Sequence, residues 1–372
     1  MTPSTEDVDT MGRTMILSRQ AKSLLVALSL TACAPAVRHP NPRAEARRSL
    51  DVRPAPPPAP ARWRGLIGEY DTPVGMRLVL EDGGGLWLAD TNHHALRMTE
   101  RDAVTFDVGD REAERLLGRR AATISFVVDR GDRARAFIAG GERFPRREIE
   151  PAVGTNQLRV TPVRPVERLR VEALATSPPR EAGTFKKADL VELTALEPGI
   201  KLEIRYATTN NFLGTRFYDQ PRAFMQRPAA EAVARAHRSL EPLGYGLLIH
   251  DAYRPWYVTK MFWDATPADK RWLVADPSQG SRHNRGAAVD LTLYRLATGR
   301  PVDMPSTYDE STDRAYADYP GGTSLERWHR ALLRRAMEEQ GFTVNPTEWW
   351  HFDFNGWKDY AIGNEPFERI GR

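Results

Sequence analysis

Proline is concentrated in two stretches of this chain, and they limit which parts of it can pack into cores. Residues 34–62 hold Pro54, Pro56, Pro57, Pro58 and Pro60 among scattered arginines. Proline fixes φ and has no amide hydrogen, so such a run neither pairs as a central strand nor continues as a helix. It reads as an extended linker. Pro151, Pro162, Pro165, Pro178 and Pro179 make 148–188 a second linker. That leaves 63–147 and 189–372 as the two folding segments. A hydrophobic content of 41% is enough to give each a core.

Residues 1–33 read as a lipoprotein signal peptide. Arg13, Arg19 and Lys22 precede the apolar run 24–30, which Leu30-Thr31-Ala32-Cys33 closes. The run is too short to span a bilayer and has the order of a secretory signal. Leu-Thr-Ala-Cys resembles the bacterial lipobox, in which the cysteine is lipidated and becomes the mature N-terminus. Glu6, Asp7 and Asp9 make the first ten residues acidic, so the signal fits better if translation starts at Met11 or Met15. The expectation is an exported protein anchored to a membrane through Cys33. Cys33 is also the single cysteine, which excludes an internal disulfide and a cysteine-built zinc site. The net charge of +4 comes from 53 basic and 49 acidic side chains spread along the chain. Without a basic stripe or interleaved aromatics, no nucleic-acid partner is expected.

The 63–147 segment alternates short apolar stretches with turn clusters such as Asp82-Gly83-Gly84-Gly85 and Asp129-Arg130-Gly131-Asp132. That pattern predicts a small all-β domain, an antiparallel sheet curved into a half-barrel. His93 and His94 are neighbours on such a strand and point to opposite faces, so they are expected at the surface and not on one metal ion.

The 189–372 segment mixes both periodicities without a repeating βαβ unit, which argues for an α+β fold. Residues 202–206 alternate like a strand, Pro228 opens a helix over 229–241, and 246–253 reads as a buried strand. Thr323-Ser324-Leu325-Glu326 is a capping box, whose helix carries Leu325, Trp328, Leu332 and Ala336 on one face until Gly341. His237, His250 and His329 read as ordinary surface or core histidines.

The chemistry lies in Ser281-x-His283-x-x-Gly286-x-Ala288-x-Asp290 and Glu348-x-x-His351. Two histidines and a carboxylate hold one zinc ion per chain and leave the fourth position open for water. Glu348 then remains free to take a proton from that water. On a strand from 287 to 293, Val289, Leu291 and Leu293 share one face and Asp290 takes the other. In the last strand Trp350, Phe352 and Phe354 share a face that His351 leaves. Arg254, at the end of the 246–253 strand, is placed to offset developing oxyanion charge. These residues predict a zinc peptidase.

Together with Tyr253-Arg254-Pro255, the two motifs resemble the D-alanyl-D-alanine dipeptidases (VanX-type) of the zinc D-Ala-D-Ala carboxypeptidase family, related in fold to the hedgehog signalling domain. The stretches 204–212 and 290–294 point to the dipeptidase branch. The resemblance spans about residues 189–360. It implies zinc ligands at His283, Asp290 and His351, a base at Glu348 and a transition-state cation at Arg254. Ser281 matches a serine near the substrate carboxylate, and Asp309 an acid that holds the substrate ammonium. Met304-Pro305-Ser306, just before it, departs from the family's Met-Gly pattern. The expected activity is cleavage of D-Ala-D-Ala outside the cytoplasm, in cell-wall metabolism. The enzyme alternative is a D,D-carboxypeptidase or endopeptidase acting on peptidoglycan stem peptides. The non-enzyme alternative is a wall-binding module with a vestigial zinc site. The sequence sets no oligomeric state.

Overall fold

The computed structural model describes residues 50, 52–92, 94–147 and 159–370. Residues 1–33, where the signal peptide and Cys33 anchor were expected, and His93 lie outside the described residues. Those described belong to one compact unit, and no helix among them is long and apolar enough to cross a membrane.

Chain order begins with a one-turn helix α1 (Ala61–Arg64), β1 (Gly68–Thr72), β2 (Gly75–Asp82), β3 (Gly85–Ala89), β4 (Ala95–Glu100) and β5 (Thr105–Asp107). Helix α2 (Asp110–Leu117), β6 (Thr123–Val128), β7 (Ala134–Ala139) and β8 (Glu142–Pro145) follow. The eight strands pair antiparallel in sequence order. The expectation of a half-barrel is corrected here, because the sheet closes. Tyr70 bridges Arg146, and the Arg147 amide donates to the Glu69 carbonyl at 2.8 Å. Eight strands enclose an interior that side chains can fill. Tyr70, Phe106, Phe126, Phe137 and Phe144 fill it, with Leu116 and Leu117 of α2.

The rest of the chain forms the α+β part. Its elements are α3 (Val166–Leu174), β9 (Leu190–Glu192), α4 (Leu193–Leu196), β10 (Lys201–Leu202), β11 (Phe224–Gln226), α5 (Arg227–Leu240), β12 (Tyr245–Asp251) and α6 (Trp256–Ala265). After these come β13 (Ala288–Arg295), α7 (Ser324–Glu338), β14 (Phe342–Asn345) and β15 (Glu348–Phe354). The main sheet runs β10-β12-β13-β15-β14, with only the β10–β12 pair parallel. Helices α5 and α7 pack on each other and on this sheet. Val289, Leu291 and Leu293 of β13 enter the shared core, as their alternation predicts. Helix α7 begins at the expected capping box, with Thr323 and Glu326 bonding reciprocally.

Three expectations change. The 202–206 strand shrinks to β10, because a 3-10 turn over Arg205–Ala207 swings the buried Tyr206 inward. The stretch 148–188 is more than a linker from residue 159 on, since α3 starts after Pro165 and buries Leu169 and Ala173. Proline at a helix start is compatible with helix, and that is how the stretch hid one. The end of the 34–62 segment is also attached. Leu50 is buried in the α+β core, and the Arg53 carbonyl accepts from Trp328 Nε1 at 2.9 Å.

Candidate metal centre and cleft

Strands β13 and β15 are neighbours, and their antiparallel register sets Asp290 directly opposite His351. His283 comes from a 3-10 turn, His283–Arg285, immediately before β13. Gly286 ends that turn with φ +65°, where a Cβ would come within 2.5 Å of Leu190 Cδ2. Gln226 braces the turn from behind. Its amide donates to the Gly286 carbonyl at 2.8 Å and its Nε2 to the Arg285 carbonyl at 2.9 Å.

Three ligand atoms converge as a result. His283 Nε2 lies 3.1 Å from His351 Nδ1 and 3.4 Å from Asp290 Oδ1, and His351 Nδ1 lies 3.0 Å from Asp290 Oδ1. Bonds of 2.0–2.1 Å to a tetrahedral zinc imply donor separations of about 3.3 Å. The far side of each ligand is already engaged. His283 Nδ1 donates to the Ala252 carbonyl at 2.7 Å, and His351 Nε2 donates to Asp353 Oδ1 at 3.0 Å. Tyr308 Oη donates to Asp290 Oδ2 at 3.0 Å, while Arg282 holds Asp353. These bonds leave both inward-facing nitrogens as acceptors beside a carboxylate oxygen. Three acceptors converging in this way could hold a metal cation, and this donor set is of the type that suits zinc. Without one, burial disfavours a charged His351, but Asp290 and Asp353 outweigh it and lift its pKa to about 10. Burial likewise works to raise Asp290, yet the two histidines hold it well below the carboxylate range.

Glu348 stands 3.9 Å from His351 Nδ1, held by Asn345 Nδ2 at 2.9 Å. Strict alternation would put residues three apart on opposite faces. The register of β14 and β15 shifts between Val344 and Asn345, and that irregularity re-aims Glu348. Burial raises its pKa, an effect that His351 partly offsets.

The triad opens on a cleft of about 460 Å³, whose walls include Arg254, Ser281, Asp309, Glu348, Tyr206 and Tyr316. Arg254 lies just beyond β12. Its Nε and Nη2 donate to Asp251 Oδ2 at 3.0 and 2.7 Å, and its amide donates to the His283 carbonyl at 3.1 Å. Burial opposes its charge, but Asp251 and the neighbouring acids raise its pKa well above the usual value. Ser281 Oγ accepts from the His283 amide at 3.2 Å. Asp309 takes φ +60°, rare for a residue other than glycine, and both of its carboxylate oxygens lie 3.4 Å from Tyr206 Oη. Burial, with the charges of Asp290 and Glu348, pushes its pKa well up, so a cation here would be welcome.

Residues 186–361 match the family described as D-ala-D-ala dipeptidase. Over 179 residues the chain is 35% identical to the D-alanyl-D-alanine dipeptidase of Escherichia coli K12, covering 48% of this chain and 91% of that protein. It is 33% identical over 187 residues to the protein of the same name from Enterococcus faecium, covering 45% and 89%. The chain belongs to the D-Ala-D-Ala dipeptidase family. It is a peptidase.

The matched stretch contains every site residue expected in 189–372, and the barrel lies wholly before it. The fold brings His283, Asp290 and His351 into one cluster and sets Glu348, Arg254, Ser281 and Asp309 around the same cleft. Sequence reasoning missed the residues that orient this dipeptidase-family site: Asp251, Asp353, Tyr308, Tyr206 and Gln226. Asp251 precedes Arg254 by three and Asp353 follows His351 by two, so short-range charge spacing was the available signal. Tyr308 and Gln226 carry none, because their partners are distant in sequence. His237, His250 and His329 are all buried. His94 is exposed and pairs with Asp90 at 2.9 Å.

Proposed function

We propose that this peptidase hydrolyses D-Ala-D-Ala to two D-alanines with one zinc ion held by His283, Asp290 and His351. The observation that carries the reading is the convergence of three acceptor atoms whose other sides are already hydrogen-bonded. When bound, zinc supplies a Lewis acid that brings the pKa of water to about 7. Glu348, on the open side of the triad, takes a proton from water in the cleft and returns it to the departing amine. Arg254, kept charged and aimed by Asp251, offsets the negative charge that develops on the carbonyl oxygen. Asp309 holds the substrate ammonium, and Ser281 lies by the substrate carboxylate. An acid inside the cleft favours a free dipeptide over a longer stem peptide, whose chain has no ammonium at that point. We place the enzyme outside the cytoplasm, lipid-anchored through Cys33, where it recovers D-alanine from released wall dipeptide.

Purified protein should release D-alanine from D-Ala-D-Ala, lose that activity to a chelator and regain it with zinc. Chelator-insensitive turnover, or pentapeptide cleaved in preference to dipeptide, would sink the reading. Glu348→Gln should keep its zinc while turnover drops about 10²–10⁴-fold, the range for a lost general base.

A further inference from the structure

The cleft wall that carries Asp309 is a loop, residues 305–322, whose regular structure is limited to a 3-10 turn at Asp313–Ala315. Its inner side is tied to the α+β part. The Ala317 amide donates to the Pro346 carbonyl at 2.9 Å, two residues before Glu348, and within the loop Arg314 Nη2 donates to the Pro305 carbonyl at 2.7 Å. Its outer side is tied to the barrel. Tyr319 Oη donates to Glu69 Oε1 at 2.9 Å, and the Tyr319 ring packs with Leu78, Leu80 and Ala89. The Glu81 amide donates to the Gly322 carbonyl at 3.1 Å, and the Glu81 carboxylate accepts from the Ser324 amide at 2.8 Å. Arg327 Nη2 donates to the Glu81 carbonyl at 2.9 Å.

Glu69 and Glu81 are only 5% and 2% exposed. Burying a carboxylate is costly unless its hydrogen bonds are kept, so two such groups at one seam make the register of that seam specific. A non-glycine residue at φ +60° also persists only where its surroundings over-determine it. Asp309 is such a residue, and the barrel holds the outer half of its loop.

We infer that the barrel is a positioning part of the dipeptide cleft, holding loop 305–322 through Glu69 and Glu81 so that Asp309 meets the substrate ammonium. This rests on the reading of Asp309 given above. Glu69, Glu81 and Tyr319 touch no substrate and act through the loop.

The test uses the full chain and two readouts. In Tyr319→Phe and Glu81→Ala, KM for D-Ala-D-Ala should rise roughly five- to tenfold, the scale of part of one charged hydrogen bond. The kcat should stay within about twofold and zinc content should not change. Glu81→Gln keeps an acceptor for the Ser324 amide and should restore most of the wild-type KM. Amide exchange should quicken across 307–317 in the first two variants and stay at wild-type rates in the β6–β7 hairpin. Wild-type exchange across 307–317 in both variants overturns the proposal, whatever the substrate proves to be. So does exchange that quickens equally through the barrel, which would mean that the contacts serve the barrel alone. If exchange quickens but the wild type cleaves no D-Ala-D-Ala, the loop contact stands and the substrate reading fails.

Discussion

His351 offers one nitrogen to the triangle it forms with His283 and Asp290 and the other to Asp353, so its orientation is set from outside that triangle. Removing such a partner commonly costs 10- to 100-fold in metal affinity. Asp353→Ala should therefore weaken zinc binding by about that factor, with Tyr308→Phe in the same direction, measured by competition with a chromophoric chelator. Unchanged affinity in both would mean that the ring is held by packing alone. At this scale the convergence of His283, Asp290 and His351 was the legible part. Asp290 and His351 lie on predictable faces of amphipathic strands, and a histidine meant for the core would have shared a face with Phe352. For Asp353 the spacing of two from His351 was the only signal, and Tyr308 carried none, because its partner Asp290 lies 18 residues away.

The elements around the site succeed or fail at their ends. The helix opened by Pro228 and the capping box at Thr323 announced themselves, because caps and proline positions are local chemistry. The turn that delivers His283 depends on Gly286 and on contacts with Leu190 and Gln226, distant in sequence. Gly286→Ala combines a positive φ with a Cβ too close to Leu190. It should lower unfolding free energy by about 1–3 kcal/mol in urea titration and reduce zinc content as the turn shifts. A variant as stable and as metal-loaded as wild type would show that the turn relaxes freely. The irregularity that re-aims Glu348 was invisible for a related reason. A strand's face alternates in any sequence, and only pairing with β14 reveals where the register slips.

For the whole molecule, the α+β class was readable from mixed periodicity, but barrel closure was not, because it depends on Arg146 and Arg147 reaching back to β1. The buried histidines give the fold a pH response. Burial lowers the pKa of His237, whose Nδ1 accepts from the Leu247 amide at 3.1 Å. The folded chain therefore refuses a proton that the unfolded chain takes up at a pH of about 6.5, and stability falls as pH drops through that value. His237→Gln lacks this proton linkage, so the stability advantage of wild type over the variant should shrink between pH 7.5 and 5.5 in thermal melts. A constant difference would show that the imidazole titrates alike in both states. On the proposed lipid anchor, replacing Cys33 by serine should move the protein from the membrane fraction to the soluble one; unchanged fractionation would refute that anchor.

The seat of Leu50 in the α+β core and the bond from Trp328 to the Arg53 carbonyl have a mechanical consequence. In sequence the barrel stands between residues 34–62 and the metal-site strands, yet the chain touches the α+β core before it enters the barrel. Tension arriving from the N-terminal side thus loads α7 first. The first turn of that helix, through Ser324 and Arg327, grips the barrel. A pull from that side would reach the seam, and through it loop 305–322, before it reached the metal-site strands.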